Sequence, residues 1–60
     1  MKKQDAINLF GGKSVDLAAA MNKTKQAISQ WPEVLNRDQS NMVIGEATRR
    51  KIEIPLTMLL

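Results

Sequence analysis

The apolar positions of this 60-residue chain fall in short runs at helical spacing, separated by turn-forming residues. From Lys3 to Phe10, Ala6, Ile7, Leu9 and Phe10 lie near one side of a short helix, with Ile7 and Phe10 at the i, i+3 spacing that faces a core. Gly11 and Gly12 stop that helix. Ser14 is expected to cap the next one through its hydroxyl; with Leu17 three positions on, this is a plain N-cap without a capping box. Leu17, Ala18 and Met21 then face inward together, while Asp16 and Ala20 point away. Asn22 stands where a tight turn needs a residue able to adopt positive φ, and Asn is the best choice after glycine. Thr24 is placed to cap a third helix by accepting from the N–H of Gln26 or Ala27.

That third helix, Lys25 to Trp31, sorts into two faces. Thr24, Ala27, Ile28 and Trp31 form the inward stripe, and Lys25, Gln26, Ser29 and Gln30 lie opposite with no apolar residue among them. Pro32 ends the helix by pushing the residue before it out of the helical region. Trp31 at that end either packs in the core or stacks on a base. Asn36 or Asp38 can cap a fourth helix running to about Arg50, with Met42, Val43, Ile44 and Ala47 as its apolar side. Lys51 to Ile54 alternates polar and apolar like a strand, whereas Pro55 suits the start of a last helical turn through Leu56, Thr57, Met58 and Leu59. A hairpin here would need its turn at Gly45 or Arg49-Arg50, with helix-favouring Glu46-Ala47 between them. The expectation is therefore an all-α fold of five short helices, with a C-terminal β-hairpin as the competing variant.

Composition narrows the functional classes. A chain of 60 residues makes one domain, 1–60, with 36–60 as its C-terminal subregion; a domain of this size buries only about 60% of the surface its unfolded chain exposes. There is neither Cys nor His, which removes disulfides, the commonest metal ligands, the usual neutral-pH base and the most reactive nucleophile. No enzyme activity, metal, cofactor or small-molecule ligand is expected. The front MKKQDAINLF lacks the apolar run of a signal peptide, and no segment is long and apolar enough for a membrane span. A membrane-surface peptide is disfavoured as well, because basic and apolar residues occupy different segments instead of two faces of one helix. The apolar PLTMLL end either closes the core or makes a dimer contact.

The net charge of +3 is unevenly placed. Met1 to Trp31 holds five lysines against Asp5 and Asp16, giving +3, while Pro32 to Leu60 holds four basic and four acidic residues, giving zero. The basic half is the one with the two central helices. Gln can bond bidentately to adenine, Lys donates to guanine or phosphate, and Ser serves either, so the outward residues of the third helix suit base edges. A solvated polar face is the bland alternative. Lys13 stands just before the second helix, where free backbone N–H groups favour an anion such as phosphate. Arg49-Arg50-Lys51 either complements the dipole of the fourth helix or touches phosphate. Ala18 either permits two helices to cross closely or simply favours helix.

The stretch SVDLAAAMNKTKQAISQW, Ser14 to Trp31, resembles the helix-turn-helix of phage repressors, and the flanking DAINLFGGKS and AISQWPEVL are similar to the Cro repressors of lambdoid phages. A weaker resemblance continues through RDQSNMVIGEATRRKIEI. It implies a lambda-repressor-like DNA-binding fold in which Leu17, Ala18, Met21, Asn22, Ile28 and Trp31 form the helix-turn-helix core. It further implies base reading by Lys25, Gln26, Ser29 and Gln30, and phosphate contacts at Lys13, Ser14, Lys23 and Thr24. Lys23 departs from the family, which usually has an apolar residue there. The partners implied are a double-stranded, pseudo-palindromic DNA operator and a second copy in a weak homodimer completed on DNA, in the cytoplasm of a bacterial host. The alternative is a helical protein-interaction module, an antitoxin or adaptor, that keeps the fold without specific DNA binding.

Overall fold

Helices this short depend on how their ends are satisfied, because each leaves backbone N–H and C=O groups without internal partners. The computed structural model describes residues 1–59 and contains α1 (Lys3–Leu9), α2 (Ser14–Ala20), α3 (Lys25–Ser29), α4 (Arg37–Arg49) and α5 (Leu56–Leu59). The fold is all-α, as expected from the spacing, and the described residues contain no strand. The C-terminal hairpin is absent among them: the Ile52 N–H turns back to Ala47 O at 2.8 Å, and residues 52–55 form no regular element.

Three helices end with the same backbone device. Gly11, Asn22 and Lys51 have φ of 114°, 56° and 59°. The residue after each donates its N–H to a carbonyl in the last turn: Gly12 to Ile7, Lys23 to Ala18 and Ile52 to Ala47, at 2.9, 2.8 and 2.8 Å. This is the Schellman closure, which serves helix carbonyls that would otherwise be unpaired. At the opposite ends the side chains vary. The Asn36 side chain accepts from the Gln39 N–H at 2.8 Å while Gln39 accepts from the Asn36 N–H at 3.0 Å, a full capping box for α4. For α2 the expected cap is corrected: Lys13, not Ser14, is the N-cap residue, and no side chain caps this end. The reason is that the Lys13 carbonyl already accepts from Asp16 and Leu17 N–H groups at 3.1 and 3.3 Å, which starts the helix one residue earlier and leaves Ser14 inside it.

The core gathers residues from α1, α2, α3, α4 and the connection before α4. Ala6, Leu17, Ile28, Val43 and Ala47 are fully buried, with Ile7, Ala18, Met21 and Leu35 nearly so. Phe10 and Trp31 pack against this cluster half-exposed. Val43 and Ala47, one turn apart, carry the inward face of α4, and Met42 lies on its exposed side instead of in the apolar stripe. Ala20 is half-buried against the core and not outward-facing, because Leu17, Ala20 and Met21 fall at i, i+3 and i+4 of one helix. No polar or charged side chain is buried among the described residues. The molecule measures 28 × 21 × 19 Å.

The N-terminus adds a constraint that periodicity does not reveal. Met1 to Lys3 lies antiparallel to Glu33–Leu35: the Lys3 N–H donates to Glu33 O at 2.7 Å and the Leu35 N–H donates to Met1 O at 2.9 Å. This pairing satisfies the first N–H of α1, which has no side-chain cap, and fixes the chain just after α3.

Candidate nucleic-acid interface

Among the described helices, α2 and α3 pack against each other most extensively. Met21 ends α2, Asn22 reverses the chain at φ 56°, and Thr24 starts α3 by accepting the Ala27 N–H on its hydroxyl at 3.1 Å. With Ile28 fully buried, the rotation of α3 about its own axis is fixed. Lys25, Gln26, Ser29 and Gln30 are then all exposed on the other side.

α3 is shorter than the pattern suggests, ending at Ser29 and not at Trp31. Its last turn tightens: the Gln30 N–H is shared by the carbonyls of Gln26 and Ala27 at 3.2 Å each, and the Trp31 N–H reaches Ile28 O at 3.0 Å. Pro32 forces this, since the residue before a proline leaves the helical region and proline has no N–H to extend the ladder. Gln30 keeps helical dihedrals (φ −83°, ψ −7°), so Gln26 and Gln30 remain one turn apart on the same face. The Ser29 hydroxyl donates to Lys25 O at 3.1 Å, which leaves its oxygen able to accept.

The expected phosphate residues differ in exposure. Lys13, Lys23 and Thr24 are exposed and Ser14 is half-buried at the first position of α2. Lys23 follows Asn22 in the Schellman turn, where an apolar residue often packs back on the helix; its side chain is exposed instead. Arg49 and Arg50 are not free cations. Arg49 Nε donates to Glu46 Oε2 at 3.1 Å and Arg50 Nε to Glu46 Oε1 at 2.9 Å, and the Arg50 guanidinium lies 5.7 Å from the Phe10 ring centroid. The hydrogen bonds from Arg49 and then Arg50 hold the Glu46 carboxyl at about 2, down from 4.5, and the same bond raises Arg49.

One residue of this region has no signal in the hydrophobic pattern. Lys3 Nζ donates to Trp31 O at 3.2 Å and approaches Ser29 O at 3.5 Å, at the carboxyl end of α3. The available hint is that a lysine at the first position of a helix opposes that helix's own dipole and so seeks a partner elsewhere.

Among the described residues no group of His, Cys, Asp or Glu could hold a metal, and no helix is long and apolar enough to cross a membrane. Two surface hollows adjoin this region, one between Lys2, Lys3, Gln4, Glu33 and Val34, the other between Ala20, Met21, Asn22, Met42, Glu46 and Arg49. Compared with protein-family models, curated proteins and solved structures, the chain finds no match.

Proposed function

We propose that the chain is a sequence-specific DNA-binding repressor of the Cro type, a helix-turn-helix protein in which α3 enters the major groove while α2 crosses the sugar-phosphate backbone. The observation that carries the reading is the outward face of α3: Lys25, Gln26, Ser29 and Gln30 are all exposed, with no carboxylate and no apolar group among them, while Ile28 buries the other side. Glutamines one turn apart match the bidentate pattern of adenine, Lys25 matches guanine or phosphate, and the lone pairs of Ser29 match an exocyclic amine. In this reading Lys13, Ser14, Lys23 and Thr24 take the phosphate contacts, giving a salt-dependent, sequence-independent share of the affinity.

One such helix reads only a few base pairs, so two copies on a pseudo-palindromic operator supply the specificity, with half-sites about 34 Å apart or a multiple of that. Leu56 at 73%, Val34 at 65% and Leu59 at 45% exposure support a weak self-association that DNA completes. Repression follows from occlusion of a promoter.

Selection of bound duplexes from a random pool tests this directly. The expected result is a two-fold symmetric consensus; recovery of duplexes with no consensus would contradict it and favour the protein-binding alternative, in which the basic face gives non-specific attraction only.

A further inference from the structure

We infer that Lys3 is a positioning residue for the groove-reading face of α3, a role that rests on the DNA-binding reading for its functional meaning. Lys3 holds the end of α3 and the chain after it at successive points. Its backbone N–H donates to Glu33 O at 2.7 Å, its Nζ donates to Trp31 O at 3.2 Å, and the same Nζ lies 3.5 Å from Ser29 O. Of these acceptors, Ser29 O at the end of α3 has no partner within the helix, and Trp31 O and Glu33 O lie beyond it. A helix of five residues has most of its carbonyls at an end, and Pro32 has no N–H with which to continue the ladder. An ammonium at that end also lies at the negative pole of the α3 dipole, where a cation is favoured.

The consequence concerns how Lys3 contributes to binding. By charge alone it belongs among the five lysines of Met1 to Trp31 and reads as one more phosphate contact. Half-buried against α3, it instead fixes the orientation of the turn that carries Ser29 and Gln30. Base readout depends on that orientation at the scale of a hydrogen bond, whereas phosphate attraction tolerates some play. Lys3 therefore acts on discrimination and not on the number of counterions released.

The experiment compares the natural chain with Lys3→Met, Lys3→Arg and Lys13→Met. Each is titrated with the duplex selected from the random pool and with a random-sequence duplex of equal length, across a series of salt concentrations. Amide exchange of Gln30 and Trp31 is followed in the free proteins. Lys3→Met should lower the ratio of specific to non-specific affinity about three- to fivefold with the salt slope unchanged, and should speed exchange at Gln30 and Trp31. Lys3→Arg should restore both, since a guanidinium reaches the same carbonyls. Lys13→Met should lower the slope by about 0.9 and leave the ratio alone. The ratio is the decisive readout because a loss of folded fraction weakens both duplexes equally. If Lys3→Met does not fold, Lys3→Gln, too short to reach the carbonyls, replaces it. A slope lowered by about 0.9 at constant ratio, or no change in both ratio and exchange, would overturn the inference. A natural chain that binds both duplexes equally would overturn the DNA reading and with it the part of Lys3 in discrimination, while the exchange data would still decide whether the clasp exists.

Discussion

Lys51 and Asn22 take the same left-handed backbone conformation at the ends of α4 and α2, with φ of 59° and 56°, yet only asparagine is suited to it. A side chain with a β-carbon and no local hydrogen bond pays a steric penalty there that glycine avoids. Lys51→Gly should therefore raise stability by about 0.5–1 kcal/mol, seen as a rise of several degrees in Tm; an unchanged or lower Tm would show that the Lys51 side chain compensates. Glu46 gives a second residue-scale expectation, with a definite sign. Its carboxyl is held at about 2 against an ordinary 4.5 by Arg49 and Arg50, so its ion pairs contribute stability above the unfolded value and lose it as pH falls from 4.5 towards 2. Denaturant midpoints measured across that range should decline less in Glu46→Gln than in the natural chain. Equal declines would mean that other carboxylates govern acid unfolding.

At the scale of elements, what was legible in the sequence was whatever acts within one segment. The spacing of Leu17, Ala18 and Met21, the Asn22 turn, the Thr24 cap and the Asn36 cap are local, and each has its counterpart in the helices described. What was not legible depends on a partner far along the chain or on competition between neighbours. The pairing of Met1–Lys3 with Glu33–Leu35 joins segments some thirty residues apart and leaves no periodic signal. Ser14 has the chemistry of an N-cap, but the Lys13 carbonyl had already begun the helix. α3 stops at Ser29 because the Trp31 N–H, just before Pro32, turns to Ile28 O and closes a tighter turn, although Gln30 keeps helical dihedrals. The reach of Lys3 across to Trp31 is of the same kind. For the candidate interface, the choice of outward residues could be read from spacing, whereas the means by which α3 is held could not.

For the whole molecule, charge and apolar surface bear on two proposed tasks, DNA binding and self-association. Glu46 occupies Arg49 and Arg50, whereas Lys13, Lys23 and Lys25, which precede α2 and α3 or start α3 in the sequence, are exposed. Of the exposed large apolar residues, Val34, Leu56 and Leu59 lie outside α2 and α3 while Val15 lies within α2; the first three are the surface proposed for a second copy. The central claim is that the outward face of α3 reads bases. Its most direct test is the affinity of Gln26→Ala and Gln30→Ala for the selected duplex, for single-base variants of it and for random DNA. The predicted result is a loss of roughly 1–3 kcal/mol for each substitution, confined to particular base pairs, with random DNA bound as before. Equal losses on selected and random DNA would contradict it.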